Sequence, residues 1–490
     1  MTGTPNYSNP MITMRYSIKL WALPVVALLA MSGCDSNLTG VNEDPNSPTK
    51  VDAAFLLPNA ITGGVSLALG SNLHMDLTAL WAQHYAESQY STEDRYDLTD
   101  SKVSGIWSGF YAGPLEDLHQ IIRQGEATNR PNVTAVGLTL RAWAFNIVTD
   151  LWGDIGYSDA LMGMEEGGSK TPKYDSQSAV YDGMLADLAS VADLIDKGTP
   201  IIKSGDLLYQ GDMDKWVRFA NSLRMRLAMR LSKVDASKAQ QAFAAAYAAG
   251  GFQSSADNAQ LKYVGDGTWD YPIFTYQKSR NDHAVSATLI DTLKSLADPR
   301  LPIYANKQVD GEYEGMPNGY DETHEITQDA VSRIGTRFAS ANTPAVLMSY
   351  AELLFLQAEA AERGWITEDA GALYNKAITE HMRQLDIDQG AIDAYLAQPA
   401  VAYTAGADGL RRIAVQKWIA LYGNGPEAYA EWRRTDYPNL VSGPHALNER
   451  RIPRRLIYPT IETALNGKNL QEAVSRQGGA GLNDRVWWDK

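Results

Sequence analysis

Apolar positions recur three and four residues apart over long stretches of this chain, the spacing that gathers them on one face of a helix. Within 73–88 they fall at Leu73, Leu77, Leu80 and Trp81, and the same period predicts helices over 106–124 and 134–152. Asn129-Arg130-Pro131-Asn132 lies between the last two, with residues that stop one helix and start another. A hairpin then pairs 176–196 with 214–232, and another pairs 345–363 with 367–383. One more helix is predicted over 410–422, with Gly423 placed to cap its C-terminal end.

Helix pairs joined by short turns and repeated along one chain predict an α-solenoid of the tetratricopeptide kind, although the period is not that repeat's clean ~34 residues. The expected fold class is all-α: a tetratricopeptide-like α–α superhelix with long irregular loop inserts. Residues 251–343 break the pattern, being rich in Gly, Asp, Asn, Tyr and Pro. A long irregular insert on a helical scaffold is more often a binding surface than filler. Residues 424–490 also read as mostly irregular and carry Trp432, Trp487 and Trp488.

The N-terminal pattern is different. Arg15 and Lys19 precede a mostly apolar run over 20–31, then Ser32-Gly33 and Cys34, the single cysteine of 490 residues. The run is shorter than the ~20 residues that span a bilayer and reads as a secretory signal. A thiol just behind such a signal is the acceptor in bacterial lipoprotein processing, and two or more acyl chains give stable anchoring. The expected organisation is a signal peptide over 1–33, with Met14 as an alternative start, a lipidated tether over 34–50 and one helical domain over 51–490. An ordinary secreted protein with a chance cysteine is the alternative.

Loss of residues 1–33 moves the formal charge from −15 to about −17. So acidic a body argues against nucleic acid, whose affinity comes largely from phosphate neutralisation, and against electrostatic attachment to a membrane. Attachment is therefore expected through the lipid alone. Tyr (25) and Trp (12) outnumber Phe (9), and their mixed apolar and polar character suits half-wet places such as sugar platforms, protein interfaces and helix contacts.

Enzyme signatures are weak. His324-Glu325-Ile326-Thr327-Gln328 has Gln328 where a zincin helix needs its second histidine. Gly423-Asn424-Gly425 follows a helix, whereas a phosphate cradle follows a strand. Asp386-Ile387-Asp388-Gln389-Gly390 lacks the acidic twelfth position of a calcium loop, which is Ala397. Asp266-Gly267-Thr268-Trp269-Asp270 reads as a tight turn presenting an indole. The seven histidines are scattered and are assigned surface or hydrogen-bonding roles. No catalytic residue, metal or cofactor is called. With 58 acidic residues, a glycosidase carboxylate pair stays open.

Several segments together resemble the SusD/RagB family of outer-membrane lipoproteins. Leu140-Arg141-Ala142-Trp143-Ala144 through Asp150-Leu151-Trp152-Gly153-Asp154-Ile155-Gly156-Tyr157-Ser158 is similar to that family's helix and following turn, with Gly156 where proline is usual. Lys215-Trp216-Val217-Arg218-Phe219-Ala220-Asn221-Ser222-Leu223, Asp298-Pro299-Arg300, Tyr350-Ala351-Glu352 and Gln357-Ala358-Glu359-Ala360 extend the likeness. So do Gln416-Lys417-Trp418-Ile419-Ala420-Leu421, Glu431-Trp432-Arg433-Arg434-Thr435, Arg454-Arg455-Leu456-Ile457-Tyr458-Pro459 and Arg485-Val486-Trp487-Trp488-Asp489. Trp418 and Trp432 are assigned to the core, and Arg450, Arg451, Arg454 and Arg455 to capping carbonyls and pairing internal carboxylates.

The resemblance implies a surface-exposed lipoprotein of the outer membrane, partnered by a SusC-like TonB-dependent β-barrel transporter, that captures an oligosaccharide or a peptide. Its implied binding face lies in the loop after the first helices, with Tyr90, Arg95 and Tyr96, and in the mid-chain insert, with Trp269, Tyr271, Tyr276, Arg280, Asn281 and Asp282. The aromatics are expected to stack on the ligand, and Arg280, Asn281 and Asp282 to meet its hydroxyls. A lipid-anchored glycoside hydrolase and a tetratricopeptide-type scaffold without a small ligand are the alternatives.

Overall fold

The computed structural model describes residues 51–490 apart from Glu166, Lys197 and Pro200. The expected signal peptide, Cys34 and the expected tether lie outside the described residues.

The first helix, α1 (Ala53–Leu69), begins earlier than the sequence pattern predicts, because Asp52 caps it by accepting from the Ala54 N–H at 2.8 Å. Gly70 breaks the helix, and a π-helical stretch over Ser71–Thr78 carries the chain to Trp81. By length and composition alone Ala53–Trp81 would cross a membrane, but half of its most apolar window is buried inside the fold. Within the helix expected to run to 88, Tyr85–Glu87 instead form a strand.

Next come α2 (Asp100–Phe110), α3 (Glu116–Ala127), α4 (Pro131–Trp152), α5 (Gln177–Leu194), α6 (Met213–Arg230) and α7 (Ala236–Ala249). From α3 to α7 each helix packs on the next, the expected succession. Nearly every residue of α4 is buried, so it has no solvent face and forms the centre of the body. The insert is less irregular than expected, holding α8 (Pro272–Ser279) and α9 (Ala287–Ser295).

After it come α10 (Tyr350–Glu362), α11 (Ala370–Gln384), α12 (Gln389–Leu396), α13 (Ala407–Ala420), α14 (Gly425–Thr435) and α15 (Thr460–Gln477). The last two give 424–490 more helix than its mostly irregular reading expected. Gly423 does not cap α13. It adopts φ +92° between α13 and α14, and Asn424 caps α14 by accepting from the Glu427 N–H at 3.3 Å.

Four short strands accompany the helices: β1 (Tyr85–Glu87), β2 (Ala259–Leu261), β3 (His283–Val285) and β4 (Ala345–Met348). β1 pairs antiparallel with β3, setting Glu87 opposite His283, and β2 pairs with β4. The second pairing corrects the helix expected from 345, which starts only after the Ser349 cap.

A buried ion network ties α6, α10, α13 and α14 together. Arg226 meets Glu352 at 2.7 Å, Arg230 meets Glu427 at 2.7 Å and also Glu431, and Lys417 meets Glu431 at 2.9 Å. Arg434 joins Glu359 at 2.5 Å to Glu431 at 2.7 Å. The C-terminal segment clasps the end of α4. Arg455 is buried and donates to the Trp152 carbonyl, while the Trp488 indole donates to Asp150 Oδ1 at 2.8 Å. Trp418 and Trp432 are buried, as assigned. Arg450 caps the Pro444 carbonyl and Arg454 pairs with Asp436, whereas Arg451 lies on the surface beside Glu449.

Candidate ligand-binding face

The loop after β1 turns sharply at Tyr90, whose φ of +56° leaves the phenol 63% exposed. Arg280 ends α8, and its guanidinium lies 4.7 Å from the Tyr90 ring centre and 5.7 Å from that of Tyr276. A guanidinium at this separation is attracted to an aromatic face. Asp282 holds it there, accepting through Oδ2 from Arg280 Nε at 3.1 Å and from Nη2 more closely. Burial would raise the Asp282 carboxyl, but its contacts with His283 and Arg280 outweigh that and keep it below the usual range. The anion thus fixes a cation between two rings.

Beneath this face Asp76 pairs with Lys102 at 3.0 Å, and Lys102 also meets Glu93. Burial, then the carboxylates of Asp94, Glu93 and Asp76, push the Glu87 carboxyl well above its usual range. Asp94 is raised to about 6 by burial, although Asn318 and the Gly319 N–H donate to it.

Arg95 sits at the rim rather than in the aromatic cluster, donating to the His445 carbonyl at 3.0 Å. The same loop is held to the insert by Glu322, which accepts from the Ser91 N–H at 2.9 Å. His445 meets Asp321 at 3.1 Å, and its ring lies 5.6 Å from that of Tyr320. Tyr320 and His445 are additions to the face, and nothing in their local sequence distinguishes them from other loop residues.

The remaining expected residues are placed elsewhere. Tyr96 is buried edge-on to Trp81, so it has no free face for stacking, a correction. Tyr271 is also buried and is no surface platform; with Tyr263 and half-buried Trp269 it forms a separate aromatic group. Tyr271 instead lines a cavity of about 520 Å3, with Gln260, Arg337, Phe338, Asn342 and Tyr422. Asn281 is exposed, and its carbonyl accepts from Arg333 at 3.0 Å. Asp282 is buried and faces Arg280, so its role is to position that guanidinium, a correction to direct hydroxyl binding. His324–Gln328 forms no α-helix, and Asp266 caps its own turn by accepting from Thr268 and Trp269 N–H groups.

Residues 45–459 match the SusD-like_2 family, described as starch-binding and associating with the outer membrane. This chain belongs to the SusD-like family. Comparison with curated proteins gives no match. Among solved structures, one named a chitin-binding protein is 31% identical, with a TM-score of 0.80 over 89% of this chain and 100% of its own. A chitin-binding SusD homologue from Flavobacterium johnsoniae is 27% identical, with a TM-score of 0.79 over 89% and 98%. A SusD homologue from Bacteroides fragilis is also 27% identical, with a TM-score of 0.78 over 90% and 100%. The SusD-like chain accordingly has an all-α, tetratricopeptide-like fold.

Proposed function

We propose that this SusD-like protein is a non-catalytic lipoprotein of the outer-membrane surface that captures an oligosaccharide and passes it to a TonB-dependent β-barrel transporter. The reading rests on one observation: an exposed tyrosine with a guanidinium stacked on it, fixed by a buried carboxylate, in a chain of a family described as starch-binding. A sugar ring offers a C–H face to Tyr90, while the outer N–H groups of Arg280 suit its hydroxyls. Two of the similar structures are named for chitin binding, which makes β-linked N-acetylglucosamine oligomers the first ligand class to try.

Calorimetric titration of the purified protein with chito-oligosaccharides, malto-oligosaccharides and peptides tests the reading. We expect saturable glycan binding that falls about tenfold in Tyr90→Ala, the loss of roughly 1.4 kcal/mol of stacking, and falls further in Arg280→Ala. Binding untouched by both changes would put the face elsewhere, and new reducing ends would make the protein a hydrolase. Anchoring at Cys34 is checked by mass spectrometry of the native molecule, where an unacylated thiol would contradict it.

A further inference from the structure

We propose that Asp76 Oδ1, Glu87 Oε1 and His283 Nε2 form a binding site for one divalent transition-metal ion of about the size of zinc. One ligand atom from each residue lies within 4.8 Å of the other two, and all three residues are buried. His283 Nε2 is 3.4 Å from Asp76 Oδ1 and 3.6 Å from Glu87 Oε1. A tetrahedral ion with bonds of about 2.0–2.2 Å sets neighbouring ligands roughly 3.3–3.6 Å apart.

The imidazole points to a ligand. His283 is only 2% exposed, yet neither ring nitrogen has a hydrogen-bond partner. Nearly all buried polar side-chain atoms are satisfied; Nδ1 has Asp282 Oδ1 3.7 Å away, but Nε2 faces two carboxylates without a hydrogen bond and points to an occupant between them. The backbone builds the arrangement. Glu87 and His283 are directly paired across β1 and β3, and Asp76 comes from the π-helical stretch, a form common at functional sites.

The other groups facing the site leave room for positive charge. Lys102 holds Asp76 Oδ2, the outer oxygen, and the Tyr276 hydroxyl reaches Asp76 Oδ1 at 3.4 Å. Glu87 Oε2 accepts from the Asp94 N–H at 3.2 Å, so Oε1 is the oxygen turned to His283. Glu93, Asp94 and Asp282 bring the carboxylates to five, against Lys102, Arg280 and Arg333. An imidazole beside two carboxylates favours zinc-like ions over calcium, which takes oxygen ligands alone.

The ion would clip β1, β3 and the π-helical stretch together directly behind Asp282, the neighbour of His283 in sequence.

The test uses the intact protein stripped with a chelator and titrated with Zn2+ and Co2+. We expect one equivalent to bind, with the intense visible bands of low-coordinate Co2+, and affinity to fall at least a hundredfold in His283→Gln and Glu87→Gln but not in His324→Gln. Absence of saturable binding overturns the proposal, as does one-equivalent binding unchanged in both site variants. Should both variants fail to fold, X-ray absorption of the zinc-loaded parent decides. One imidazole with oxygen ligands is expected, and a shell with sulfur or a second imidazole overturns it.

Discussion

Glu431 is the hub of the buried ion network, and its replacement by glutamine should cost more stability than any surface pair. Its Oε1 accepts from Arg230 and, at 2.9 Å, from Arg434 Nε; its Oε2 meets Lys417 at 2.9 Å and Arg434 Nη2 at 2.7 Å. Glutamine keeps the shape but leaves three buried cations short of one negative charge. Breaking a buried pair in this way costs about 3–5 kcal/mol. At about 2.1 cal/mol/K per residue over roughly 440 residues, that loss lowers the melting temperature by about 3–5 °C. Scanning calorimetry of Glu431→Gln beside Arg451→Ala, an exposed ion-pair control, makes the comparison. The pH dependence adds a signature. Burial alone would raise the Glu431 carboxyl, but Arg434, Lys417 and Arg230 bring it well below the usual range. A depressed carboxyl stabilises the fold above its unfolded value of about 4.3 and loses that contribution as pH falls towards its folded value. The gap between parent and variant should therefore be full at pH 7 and shrink below about pH 4.3. A melting temperature no lower than that of Arg451→Ala would refute the reasoning.

Two further outcomes are expected. Burial lowers His84 to about 3 against the weaker pull of its 3.0 Å contact with the Trp418 carbonyl, so it stays neutral while the unfolded chain protonates below about pH 6.5. Stability then falls with acidification by up to about 1.4 kcal/mol per pH unit from this group, and urea unfolding of His84→Gln between pH 6 and 5 should show a slope smaller by one proton. Gly153→Ala should destabilise by about 2 kcal/mol or more, because φ is +80° and the new methyl carbon would lie 2.1 Å from Gln477 Oε1; a melting temperature within 1 °C of the parent (roughly 1 kcal/mol on the scale above) would contradict the close approach.

The helical period was a good guide where one face meets the core, as in 176–196 and 214–232, and Trp418 and Trp432 are buried as assigned while Arg455 caps a buried carbonyl. It failed where the backbone hides its signal. Ala53–Leu69 contains Pro58 and small residues such as Ala60, Gly63 and Gly64, which dilute an apolar stripe. Tyr85–Glu87 and Ala345–Met348 are too short for alternation to declare them strands. At the face, Tyr90, Tyr276 and Arg280 converge because a left-handed turn and a helix end meet, while Tyr96 and Tyr271 carry the same residue type into the core. Composition cannot separate these cases, since tyrosine suits both. The Asp76, Glu87 and His283 cluster was invisible for a related reason. His283 lies far along the chain from Asp76 and Glu87, and only the pairing of β1 with β3 brings Glu87 and His283 together.

A structure of the protein with a bound chito-oligosaccharide is the most direct measurement. We predict a sugar ring stacked on Tyr90 with its hydroxyls against Arg280, every glycosidic bond intact. A ligand seated only in the Tyr271-lined cavity, or cleaved within the crystal, would contradict capture at this face.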